Sequence, residues 1–323
     1  MEQTSIKSNP YCFPENLLFQ SVTYNGVAVR KFPVSVDSIT QIKRIRNVTM
    51  REDDLLIAAF PKCGTHWVTE ILHMLVSRTT DYATRTKEFN MLELMEDSPA
   101  LDHLDSPRVL NSHLYIAHLP EQLVEKKVKL IHLIRNPKDC AVSLYHHIKP
   151  SASEQFTFDN FIKGYIIDDY TTRSHQLNYL RQMSQFELEN PDHPIMHIYY
   201  EDLKRDPLPV LQKLAEFVNI KTNRKFCQDV ISACGLDQMR RADVTRSLPE
   251  NITKVYSKGY NIYRQGVVGD WKNMFTVAQN EMFDQFLARQ EEKGLPYNFR
   301  WCRGGLLPLY LARSTRLSTQ DTE

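Results

Sequence analysis

The clearest pattern in the chain is a short, continuous apolar run, Leu55-Leu56-Ile57-Ala58-Ala59-Phe60, broken at once by Pro61 to Gly64. A run without polar alternation reads as a strand buried on both faces. Beyond the break, Trp67, Val68, Ile71, Leu72, Leu75 and Val76 recur on one helical face, which predicts a helix with one side buried. The same strand, turn, helix order returns at Val128-Lys129-Leu130-Ile131-His132-Leu133-Ile134. There Asn136 fits a helix N-cap, and Pro137 falls where an amide donor is dispensable. A third strand is predicted at Pro194-Ile195-Met196-His197-Ile198-Tyr199. After Tyr200-Glu201-Asp202 a helix follows, with Val210, Leu211, Leu214, Phe217 and Val218 facing inward. Up to about Arg51 the chain mixes apolar runs with Pro and polar residues, and reads as edge structure packed on a later core.

Strands alternating with helices imply an α/β fold: a central parallel sheet flanked by helices on both faces. Ligands in such folds bind beyond the carboxyl ends of the strands. The turns after Phe60 and after Arg135 both lie at such ends. The chain of 323 residues shows no internal repeat or low-complexity linker and is read as one domain, 1–323, with about 1–31 and 306–323 peripheral or flexible.

The formal net charge of +1 gives no general attraction to nucleic acid or to an anionic membrane, so any anion site must be local. No secretory signal opens the chain, no apolar run approaches membrane-helix length, and the end carries no retention or lipidation signal. The cytoplasm is therefore the expected compartment, and the glycosylation patterns at Asn47 and Asn251 read as chance. Six scattered cysteines without a CxxC pair argue against a zinc site or a disulfide framework, and no metal-ligand cluster is apparent among the eleven histidines.

Pro61-Lys62-Cys63-Gly64-Thr65-His66-Trp67 has the make-up of an anion cradle. Gly64 lets backbone approach a ligand, the amides opening the next helix are unpaired donors, Lys62 adds a charge and Thr65 a hydroxyl. The spacing is not that of a Walker loop. An ordinary strand-to-helix turn with a surface lysine is the plainer reading. Arg135, closing a buried strand, suits a forked phosphate donor, with Ser143 nearly two turns into the next helix as a hydroxyl for the same anion. The competing reading pairs Arg135 with a carboxylate such as Asp139. Tyr263 to Lys272 combines Arg264, Gly266, Gly269 and Trp271 without a clean period, as in a loop closing over a ligand or a solvated turn.

Together these segments resemble the cytosolic sulfotransferase family. Residues 61–67 resemble its 5′-phosphosulfate loop, Arg135 to Ser143 its 3′-phosphate motif, and Arg264-Gln265-Gly266-Val267-Val268-Gly269-Asp270-Trp271-Lys272 its C-terminal nucleotide signature. Lys272, Thr276, Val277 and Glu281 match its short dimerisation pattern. The likeness runs from about Phe32 to Trp301. It implies a nucleotide-kinase-like fold and the co-substrate 3′-phosphoadenosine 5′-phosphosulfate (PAPS), without a metal.

Carried over by position, Lys62, Cys63, Gly64, Thr65 and His66 would hold the 5′-phosphosulfate, and Trp67 would stack on adenine near Tyr200. Arg135, Ser143, Arg264, Gln265 and Gly266 would hold the 3′-phosphate. His113 matches the catalytic histidine, a general base for the acceptor, and Lys62 would stabilise the leaving phosphate. Taken alone, a histidine such as His113 reads as structural.

The implied acceptor is a small, largely apolar molecule bearing a hydroxyl or an amine, in a pocket with Phe32, Phe89 and Tyr145 as candidates. The implied assembly is a homodimer through Lys272 to Glu281. The chain departs from the family in five places, one of them a tripeptide. Cys63 replaces a commoner serine, His66 a threonine, and Gln265 a lysine. Cys234-Gly235-Leu236 stands for Thr-Ser-Phe, and Asn111 for the lysine that phenol-acting members often carry. Two readings compete with a sulfotransferase. An ATP-using phosphotransferase would need the absent Walker loop, whereas a nucleotide-binding relative without turnover is motivated by Gln265, Cys234 and His66.

Overall fold

The computed structural model describes residues 21–24, 27–30, 32–96, 101–152, 154–166, 175–253, 262–294 and 297–299. Of the two ends expected to be peripheral, 306–323 and most of 1–31 lie outside these residues. The exception is a pair of short strands, β1 (Ser21–Tyr24) and β2 (Val27–Arg30), which form an antiparallel two-stranded sheet. They lie against a helix at Ser38–Arg46. That helix starts where Asp37 accepts the amides of Ile39 and Thr40, and it buries Ile42 and Ile45.

The main sheet has four strands: β3 (Leu55–Ala59), β4 (Val109–Ser112), β5 (Lys129–Ile134) and β6 (Ile195–Tyr199). Their spatial order is β4-β3-β5-β6 and every pairing is parallel. The central strands explain the unbroken apolar runs: every residue of β3 is buried, as is every residue of β5 after Lys129. Edge strand β6 is mostly half-buried. Helices at Thr65–Ser77, Pro137–Ile148, Gln176–Glu189 and Pro207–Phe217 add their apolar stripes to the same core.

Two elements differ from the expectation. Strand β4 has no apolar signature, because Asn111 and Ser112 are polar yet fully buried. Asn111 tolerates this by donating to the Lys87 carbonyl at 2.8 Å and accepting from the Lys87 ammonium at 3.0 Å. After β6, helix begins at Tyr200 itself (Tyr200–Arg205), and a second helix starts at Pro207, which cannot continue the first.

Register decides what the sheet presents. Ala58 pairs with Ser112, Ala59 with Leu133, and Ile134 with Tyr199. The four carboxyl ends are therefore level, and the residues just past them, Phe60, His113, Arg135 and Tyr200, lie along one edge. No helix among the described residues is long and apolar enough to cross a membrane.

Candidate functional site

The turn after β3 is built to expose amides. Lys62 and Gly64 both hold positive φ, 72° and 102°, and Gly64 caps the helix Thr65–Ser77 without any side-chain acceptor. The contrast with the turn after β5 is informative. There Asn136 caps the helix Pro137–Ile148 by accepting the amides of Lys138 and Asp139. The second helix start is already satisfied, whereas the first offers its amides and the positive end of its dipole to an anion.

A Cβ on Gly64 would come within 2.9 Å of the Tyr200 ring. Gly64→Ala is accordingly expected to cost at least about 1 kcal/mol of stability, from left-handed backbone strain and this clash. It should also weaken binding of the desulfated nucleotide, 3′-phosphoadenosine 5′-phosphate (PAP). Thermal unfolding and calorimetry measure the two, and a variant matching the parent in both would contradict this account of the turn.

Arg135 joins the two turns. Its Nη1 donates to the Lys62 carbonyl at 2.8 Å, and its guanidinium lies 4.3 Å over the Tyr200 ring. Its own carbonyl is held by the buried Gln176 amide at 2.7 Å. The Nε of Arg135 is buried without a hydrogen-bond partner. A bound anion would satisfy that orphaned donor. The carboxylate considered as an alternative partner is engaged elsewhere: Asp139 accepts the amides of Gly269 and Trp271 at 2.7 and 3.0 Å. This anchors the C-terminal loop on the helix after β5. Lys138 is likewise structural, reaching Asn280 and Asp284 at 2.6 Å each.

The loop residues sit against the same region. Gly266 has φ 62°, and a Cβ there would meet Leu236 at 3.1 Å, so the Cys234-Gly235-Leu236 departure forms the bed of this loop. The Arg264 guanidinium pairs with Asp270 inside the loop and lies close enough to His146 to disfavour its protonation, after burial. Ser143 is half-buried one turn before His146 on that helix. Gln265 is exposed. Trp67 meets Tyr200 edge to face, 5.8 Å between centroids, with the Lys204 ammonium 5.4 Å from its ring.

His113 follows β4, and its Nδ1 lies 2.7 Å from the Ala59 carbonyl at the end of β3. A carbonyl accepts only, so Nδ1 carries the proton and Nε2 the lone pair, the tautomer of a general base. The His113 amide donates to Glu93, which fixes the residue from its main chain.

Lys62 lies 3.4 Å from the His147 Nδ1. Burial, with the Arg135 and Lys87 charges added, pushes its ammonium down to about 7. Three cations held this close are relieved by an anion. His66, one of the departures, donates from Nε2 to Glu88 at 3.1 Å. Burial lowers His66 to about 4, so it stays a neutral donor. Glu88 stays ionised: burial opposes its charge, but His66 and Lys87 outweigh burial and hold it well below the usual range. The Cys63 thiol is buried, 3.9 Å from the Gln176 amide.

Several contributors were invisible in the sequence. Gln176 carries no motif and acts through a carbonyl. Lys87 delivers an ammonium to the Asn111 side chain from a separate segment. Of the acceptor candidates, Phe32 and Tyr145 are buried in the core and Phe89 is half-buried. Tyr145 packs its ring on Phe156, Phe158 and Phe161.

Comparison with known proteins places the chain in a family. A sulfotransferase domain family matches residues 52–294. Bovine sulfotransferase 1A1 is 32% identical over 269 residues, covering 77% of this chain and 86% of its own. Dog sulfotransferase 1B1 is 30% identical over 84% of this chain and 94% of its own. Among solved structures, mouse sulfotransferase SULT7A1 complexed with PAP has a TM-score of 0.66 at 24% identity, covering 85% of this chain and 95% of that one. Retinol dehydratase in complex with retinol and PAP has a TM-score of 0.70 at 15% identity, covering 88% and 93%. The domain match spans both turns, the histidine after β4 and the C-terminal loop, and the chain belongs to the family of PAPS-dependent sulfotransferases.

Proposed function

We propose that this protein transfers a sulfuryl group from PAPS to a hydroxyl or amine of a small, largely apolar acceptor in the cytoplasm. The observation that carries the reading is the level edge of the sheet. Each of its four parallel strands ends beside one part of the required set: the cradle after β3, His113 after β4, Arg135 after β5 and Tyr200 after β6.

PAPS supplies an activated sulfuryl group on a phosphate leaving group. The residues present fit it, since an uncapped helix start and the orphaned Arg135 Nε both call for an anion. In this reading Lys62, Cys63, Gly64, Thr65 and His66 bind the 5′ end, with Lys62 neutralising charge on the departing oxygen. Arg135, Ser143, Arg264, Gln265 and Gly266 bind the 3′-phosphate, and Trp67 with Tyr200 binds the base. His113 Nε2 takes the acceptor proton as the oxygen attacks sulfur. The chemistry needs no metal in these steps.

Support for an apolar acceptor comes from androsterone and retinol, which two PAP complexes of retinol dehydratase contain. Incubation of the pure protein with labelled PAPS and a panel of phenols, alcohols and amines tests the proposal. PAP binding without any labelled product would favour a non-catalytic nucleotide-binding protein instead.

A homodimer through Lys272 to Glu281 extends the reading. Thr276 caps the helix Val277–Glu292 in a reciprocal capping box with Gln279, which leaves Val277, 76% exposed, at the helix start. Val277→Glu is expected to shift the sizing profile from dimer to monomer without loss of fold. A parent protein that runs only as a monomer would remove this part.

A further inference from the structure

Central strand β5 and its edge neighbour β6 put two histidines side by side. His132 and His197 are direct register partners, with their Nδ1 atoms 3.0 Å apart. His197 Nε2 lies 3.4 Å from Glu187 Oε2, and the other oxygen of Glu187 accepts the Tyr297 hydroxyl at 2.7 Å. One ligand atom from each of His132, Glu187 and His197 lies within 4.8 Å of the others. His132 is fully buried and its Nε2 has no hydrogen-bond partner. Glu187 and His197 are partly open to solvent, at 28% and 32% side-chain exposure, which gives an ion a way in.

We infer that His132, His197 and Glu187 form a binding site for a borderline divalent transition-metal ion, with zinc as its test ion, across the open edge of the sheet. The tautomers follow from the contacts. Glu187 draws the His197 proton to Nε2, so the proton between the rings belongs to His132 Nδ1. An ion replacing that proton takes one lone pair from each Nδ1, and the His132 proton moves to its Nε2, on a ring whose centroid lies 5.9 and 5.6 Å from those of Tyr179 and Tyr297. Two nitrogens bound at about 2.0 Å in tetrahedral geometry sit about 3.3 Å apart, a few tenths from the separation present. Glu187 then holds His197 from behind, in the carboxylate, histidine, metal relay common to such sites. Imidazole donors favour zinc or copper over magnesium. The ion would clip an edge strand to the core and to the helix Gln176–Glu189, apart from the cradle.

The full-length protein, stripped with a chelator, is titrated with Zn²⁺ by calorimetry and with Co²⁺ by visible absorption. One saturable site per chain is expected for Zn²⁺ and none for Mg²⁺, with a Zn²⁺-dependent rise in melting temperature. His197→Gln and Glu187→Gln, both at partly exposed positions, should each weaken zinc binding by about tenfold or more. The zinc-dependent rise in melting temperature should vanish in His197→Gln, whose metal-free melt checks its fold. Absence of a saturable zinc site, or unchanged affinity in His197→Gln, would overturn the inference.

Discussion

Replacing His113 with alanine is expected to lower kcat by about 10²–10⁴-fold while leaving PAP affinity nearly unchanged. The split is the informative part. A residue that accepts the acceptor proton acts only in the transition state, so its loss falls on kcat and not on nucleotide binding. The geometry supports this role, because the Ala59 carbonyl at 2.7 Å fixes the proton on Nδ1. A competing structural role is separable: losing that one hydrogen bond costs about 1 kcal/mol of stability, which thermal unfolding reads directly. Full turnover in His113→Ala would exclude it as the base. A loss of PAP binding as large as the loss of kcat would assign it to nucleotide binding instead.

The second large effect belongs to Lys62. Lys62→Met is expected to lower kcat by about 10²–10³-fold, the usual loss when one group that stabilises developing charge is removed. It should also flatten a pH dependence. In the free protein, burial first, then the charges of Arg135 and Lys87, bring the Lys62 ammonium down to about 7. A bound phosphate favours the charged form and raises that value. PAP affinity is then full below about pH 7 and falls as pH rises through it, by up to about tenfold per unit while only the complex holds the proton. Calorimetric titration of PAP from pH 6 to 9 measures this. His147, 3.4 Å from the same ammonium, is the natural control, and His147→Asn should keep the slope. A parent affinity that does not change over this range, or a Lys62→Met variant with the parent slope, would show that Lys62 is not the titrating group.

The five family departures look less damaging once placed. His66 is a neutral donor pinned to Glu88, and Cys63 faces the core, so neither side chain need oppose an anion at the amides. Leu236 supports Gly266, and Gln265 is exposed. Asn111 is the instructive case, because the buried Lys87 ammonium lies 3.0 Å from its side-chain oxygen.

Sequence alone determined the parts governed by local rules. The apolar runs of β3 and β5, the Asn136 cap with Pro137 behind it, and the glycine turn at 61–67 all follow from contacts within a few residues. Their order along the chain was enough to imply a parallel sheet and its ligand edge. Strand β4 escaped because its buried Asn111 is stabilised by Lys87, 24 residues earlier, which no periodicity records. The partner of Arg135 could not be chosen either. Asp139 lies one turn away in sequence, but its two oxygens go to loop amides 130 and 132 residues later. The histidine cluster is the extreme case: His132 and His197 are 65 residues apart, and only the parallel register of β5 and β6 makes them neighbours. Local chemistry is written in spacing, whereas charge pairing and ligand convergence depend on register, which is set by how whole strands bury their faces together.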